Sequence, residues 1–156
     1  MPDGSGSAQE TKQERLNREL IELLNEVRVA LPGVQVLFAF LLAVPFQQRF
    51  ADTTSFQRDT YFVALALSLI ATALLIAPTA LHRLNFRARD KEAIVFISNR
   101  LVIAGTGVLA FAMTAVMVLI ADFIFSTPMA IGTGVGSGLV FGLLWLALPV
   151  SRWRHQ

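Results

Sequence analysis

The sequence predicts an all-α membrane protein: a bundle of four transmembrane helices preceded by an amphipathic cytoplasmic helix. Three observations carry this. First, only 15% of the 156 residues are charged and 54% are hydrophobic, whereas a soluble domain has about 25% charged residues. Second, the charges cluster and leave uncharged runs at 29–48, 60–82, 101–121 and 128–149. Each approaches the ~20 residues a helix needs to cross a bilayer core. A chain this small cannot surround four all-apolar helices with its own residues, so a soluble helical domain fits poorly. Third, of the 13 Lys and Arg, all but Arg49 and Arg58 fall on one side of these runs. The positive-inside rule then places both termini in the cytoplasm and the protein in the plasma membrane.

The elements follow in order. Residues 1–9 contain Gly4, Ser5, Gly6 and Ser7 and read as a disordered tail. The opening MPDGSGSAQE shows no basic start followed by an apolar core, so span one is expected to be retained rather than cleaved. Over 10–28, Leu16, Leu20, Leu23, Leu24 and Val27 recur at three- and four-residue spacing and form one helical stripe. Arg15/Glu19 and Arg18/Glu22 are within pairing reach at i, i+4. Acids slightly outnumber bases here, which favours packing on protein over anchoring to anionic lipid. Pro32 in "LPG" removes a backbone donor and is expected to bend the helix as it enters the membrane.

The transmembrane domain spans 29–150. Its second run carries Pro78 near the far end, and "RLNFRARDKE" is the main charged loop before the third run. "FIFSTP" reads as a tight turn in which Ser126 or Thr127 caps the fourth helix, with Pro128 in its first turn. Residues 151–156, "SRWRHQ", form a cytoplasmic C-terminal tail, and Tyr61 and Trp153 suit the two membrane borders. A shift of 72 residues aligns Arg28 with Arg100 and Gly33 with Gly105. This is either a duplicated two-helix hairpin or a product of shared apolar composition.

The chemistry of the chain is mostly defined by exclusion. It has no cysteine, hence no disulfide, thiolate nucleophile or cysteine-held metal. Its two histidines, His82 and His155, lack metal-ligand spacing, and a net charge of +2 gives no argument for nucleic acid. No catalytic constellation is present, so neither an enzyme nor a cofactor is expected. The glycines of "AIGTGVGSGLVFG" have no following lysine and no preceding strand, which excludes a phosphate-binding loop. Gly134, Gly138 and Gly142 instead fall at i, i+4 and i+8 on one helix face, the spacing that lets membrane helices approach closely, and Gly105 offers a partner surface. The facing helix belongs either to the same chain or to another.

Polar candidates lie at the span ends: Asp122 on the outer side, Gln35 near the inner end of span one, and Arg100 on the inner side. These either line an ion path or serve as border charges and interhelical hydrogen-bonding groups. The basic loop with Arg83, Arg87 and Arg89 lies on the same side as the slightly acidic N-terminal helix. The two either pack into a cytoplasmic cap or remain separate solvated faces.

"LLNEVRVALPGVQVLFAFLLAVPFQQRF" (23–50), "HRLNFRARDKE" (82–92) and "NRLVIAGTGVLAFAMT" (99–114) resemble an actinobacterial family of small four-span membrane proteins of unknown function. The resemblance covers most of the chain after the tail. It implies membrane location and this topology, and no site residues. Some members carry a sodium:proton antiporter label, but antiporter folds are far larger and hold buried carboxylates, which these spans lack. The expected role is therefore a non-enzymatic accessory or structural component acting through helix packing. Its partners would be the bilayer and either a second copy or another membrane protein. The alternative is a small oligomeric ion- or proton-linked transporter or channel.

Overall fold

The computed structural model describes residues 12–84 and 91–147, all helices and their turns. Helix α1 (Lys12–Ala43) is followed by 3₁₀ turns at Val44–Phe46 and Gln48–Asp52, and then by α2 (Ser55–Leu84), α3 (Lys91–Ile124) and α4 (Thr127–Phe141). A wider π-helical stretch, Gly142–Ala147, continues α4. All four helices are long and apolar enough to cross a membrane. Their large apolar side chains point outward: Val36, Phe40, Phe62, Leu69, Phe111 and Leu139 are all exposed. That is an inside-out distribution for water and a fitting one for hydrocarbon.

The expected N-terminal tail, Arg87 and Arg89 of the charged loop, and the tail 151–156 lie outside the described residues. The amphipathic segment and span one are one element. Helix α1 stays helical through Pro32, and its buried face repeats every seventh residue at Leu20, Val27, Val34 and Leu41. The same stripe thus runs from the charged half into the apolar half. Helices α2 and α3 likewise begin well before their uncharged runs, at Ser55 and Lys91.

The centre of the fold is the antiparallel pair α2–α3. On α2 the buried positions are Gln57, Tyr61, Ala64, Ser68, Ala71, Leu75 and Pro78, an alternation of four- and three-residue steps. On α3 the small residues Ser98, Gly105 and Ala112 are buried seven residues apart. These are heptad seams, the pattern of two helices that stay in contact along their length. Small side chains bring the backbones close. A Cβ added at Gly105 would sit 3.0 Å from Leu75 Cγ and Cδ2 and 3.2 Å from Leu74 Cβ. In lipid the burial of leucine adds little over the hydrocarbon it replaces, so these dispersion contacts decide the pairing.

Helix α1 packs on α2 and α3, through Val34 against Ala71 and Leu75, and through Leu41 against Tyr61 and Ala64. Among the described residues, α4 packs against α3 alone of the helices. The four helices therefore form an open arrangement, with α4 at its edge. The turn before α4 has Ser126 at the N-cap with an extended backbone, but its hydroxyl makes no capping bond. One of the two amide groups a cap serves belongs to Pro128, which has no N–H.

Replacing Gly105 with leucine should overpack the α2–α3 seam by about 1–3 kcal/mol or more. Denaturant titration of the detergent-solubilised protein should show a clearly lowered midpoint. Gly107→Leu, at a position where an added Cβ meets nothing within 4 Å, should leave it unchanged.

Candidate functional site

Polar side chains gather at the end of the bundle where α1 passes into α2 and α3 into α4. Thr54 and Gln57 form a capping box at the start of α2. The Thr54 amide donates to Gln57 Oε1 at 3.1 Å, and the Gln57 amide donates to Thr54 Oγ1 at 3.2 Å. This locks the Gln57 carboxamide, whose Nε2 donates to Asp122 Oδ2 on α3 at 2.9 Å. Residues far apart in sequence are thus tied across the central pair. Asp122 Oδ1 is also buried and has no hydrogen-bond partner among the described residues.

One turn further in, the buried Tyr61 hydroxyl donates to the Leu41 carbonyl at 3.1 Å and ties α2 to the end of α1. The Phe50 ring meets Tyr61 edge-on, with centroids 5.4 Å apart at 75°. The Arg49 guanidinium lies 5.4 Å over the Phe123 ring. Arg58 is folded onto its own loop, donating to Thr53 Oγ1 and to the carbonyls of Thr53 and Ala51. A recess of about 660 Å³ opens beside this cluster, with Leu119, Ile120 and Ile124 on its apolar wall and Gln47, Gln48 and Arg49 among its polar lining.

The remaining polar candidates lie elsewhere. Gln35 is exposed on α1. Arg100 is exposed on α3 with its guanidinium 4.4 Å over the Phe96 ring, about 33 Å along the helix from Asp122 at 1.5 Å per residue. Gln35, Arg100 and Asp122 are not brought together. Arg83 is exposed at the end of α2.

The glycines also separate. Gly105 meets α2, whereas Gly134 meets α3, where an added Cβ would stand 2.7 Å from Val118 Cγ2. At Gly138 and Gly142 an added Cβ meets nothing within 4 Å. Hydroxyls within the helices turn back on their own backbones. Ser68 bonds Ala64 O, Thr72 bonds Ser68 O, Thr114 bonds Ala110 O and Ser137 bonds Thr133 O, all at 2.7–2.9 Å. No group of three His, Cys, Asp or Glu side chains able to hold a metal occurs among the described residues.

The sequence reading singled out Asp122 and missed its partner. The signal was present as Thr54-x-x-Gln57, a helix-start pattern just before an apolar run. That this glutamine would also reach α3 required the register of the α2–α3 pair.

Fold and site together describe a multi-helical protein of membrane-spanning dimensions, with one interhelical polar tie at an end of its central pair and glycine-lined close approaches. The chain belongs to a family of unknown function (DUF6328), which matches residues 9–149. Neither a curated protein nor a solved structure matches it.

Asp122→Asn keeps an acceptor for the Gln57 amide and should leave the unfolding midpoint within error. Asp122→Ala strands that buried donor and should lower stability by about 1–3 kcal/mol, read from the same denaturant titration.

Proposed function

We propose that this protein is a non-enzymatic accessory component of the plasma membrane that acts by packing its helices against another membrane protein or a second copy of itself. The observation that supports this best is α4. It meets α3 at Gly134, and one and two turns further along nearly the same face, at Gly138 and at Gly142 where the π-helical stretch begins, an added Cβ would meet nothing within 4 Å. A membrane helix with small residues on an open face gains close backbone contact only when another helix covers it.

The disposition of polar groups favours packing over transport. A coupled transporter binds its ion at side chains within the bilayer. Here Ser68, Thr114 and Ser137 bond to their own helices, and the Gln57–Asp122 contact, the one interhelical carboxylate bond among the described residues, lies at the helix ends. Transport would have to run between copies, not through one chain.

The orientation we propose follows the charge asymmetry: α1 starts, and α2 ends, on the cytoplasmic side. The Arg83, Arg87 and Arg89 loop would then face the acidic half of α1 as a cytoplasmic cap.

If assembly runs through α4, Gly138→Leu should abolish the oligomer or complex in native mass measurements, while Asp122→Asn should leave it intact. Loss of ion flux in vesicles on Asp122→Asn, with assembly unaffected by Gly138→Leu, would instead favour transport. Since the chain has no cysteine, sidedness can be read from single replacements. In intact cells an impermeant maleimide should label Asp52→Cys and spare Arg83→Cys.

A further inference from the structure

A cleft runs between α1 and α3. Midway along it is a recess of about 390 Å³, with Leu37 of α1 and Met113 and Met117 of α3 facing Ser137, Val140 and Phe141 of α4. Towards the start of α1 lies a groove of about 610 Å³ whose walls, among the described residues, come from α1 and α3. The two share helix faces. Val95 and Met113 are about five turns apart on α3, as are Asn99 and Met117, and so are Glu19 and Leu37 on α1. The groove is therefore the continuation of the cleft that α4 flanks, at the level beyond Ala147, the last described residue of its π-helical extension.

The groove has a definite chemistry. Leu16 and Leu23 of α1 and Val95 and Phe96 of α3 supply apolar surface. Glu19, Glu22, Glu26 and Glu92 supply acid, against Arg15 as the one base among the described residues of the lining. Arg15 bonds Glu19 at 2.8 Å and Arg18 lies 3.8 Å from Glu22, both exposed pairs that leave the lining net acidic. An occupant should be basic and carry at least one large apolar side chain.

Residues 148–156, which follow the described part of α4, end in Ser151-Arg152-Trp153-Arg154-His155-Gln156. We propose that this segment docks in the groove, with Trp153 against Leu23 and Phe96 and with Arg152 and Arg154 toward Glu22 and Glu26. Reach is sufficient. Gly134 lies against Val118 in the antiparallel α3–α4 pair. Carried onward at helical rise, that register brings Trp153 level with Asn99 to within about a turn, and a more extended path at about 3.3 Å per residue reaches further. The contact joins the segment after α4 to α1; among the described residues α4 packs against α3 alone of the helices.

The absence of cysteine allows a direct test. Ser151→Cys with Asn99→Cys leaves the tryptophan and both arginines in place. A short thiol cross-linker in native membranes should join them within one chain. Arg87→Cys with Asn99→Cys tests the neighbouring basic loop as the occupant instead. In a Trp145→Phe background, Trp153 is the sole tryptophan and should be shielded from acrylamide. Glu22→Lys with Glu26→Lys should raise its quenching constant roughly twofold or more, and adding Arg152→Glu with Arg154→Glu should restore the shielding. That restoration also shows that the charge-reversed chain folds. The proposal is overturned by cross-linking only through Arg87→Cys or only between two copies, by no cross-link at all, or by Trp153 quenching that responds to brominated lipid and ignores the charge reversal.

Discussion

The close approach of α2 and α3 is the constraint on which the other elements depend. Two helices in hydrocarbon have no water to escape, so they stay together only where their surfaces interlock. Gly105 lets the Leu75 side chain lie against the α3 backbone, and Ala64, Ser68, Ala71 and Ala112 keep the rest of the seam narrow. Helix α1 then packs against a surface both partners make. Val34 sits against Ala71 and Leu75, with Val102, Val108 and Leu109 of α3 around the same cluster. Helix α4 depends on α3 in turn, at Gly134 and Val118.

Polarity is handled by the same economy of contacts. Ser68, Thr72 and Thr114 bond to carbonyls one turn back, so they ask nothing of a neighbouring helix; the buried Ser98 hydroxyl on α3 has no partner among the described residues. Bonds between helices are at the end of the bundle, where Gln57 spans from its own helix start to Asp122, and Tyr61 from α2 to the Leu41 carbonyl. These two bonds fix how α1, α2 and α3 meet at that border. They tie a packed structure together and line no continuous route through it.

The open side of the molecule is the side of α4. It meets α3 at Gly134, and further along nearly the same face Gly138 and Gly142 have no neighbour for an added Cβ among the described residues. The cleft it flanks continues between α1 and α3 as a groove whose described lining is acidic. An accessory role through helix packing and a docked basic tail would each complete a surface that the described helices leave incomplete.

The apolar runs, their lengths and the one-sided placement of lysine and arginine are properties of composition, and they alone determine an all-helical chain with four segments able to cross a bilayer. The stripe through Leu20 and Val27 is equally legible, whereas its continuation to Val34 and Leu41 is lost in a run where nearly every residue is apolar or small. That α1 continues unbroken from its charged half into its apolar half depends on packing, because Pro32 argues locally for an interruption. The glycine spacing in α4 announced a close contact and could not say with what. Gly134 meets α3 while an added Cβ at Gly138 or Gly142, further along nearly the same face, meets nothing within 4 Å, so a shared spacing did not mean a shared contact. The Gln57–Asp122 bond and the shared α1–α3 cleft belong to the tertiary structure outright. They join residues distant in the chain, and such pairs are set by the register in which helices pack, which no local pattern of side chains encodes.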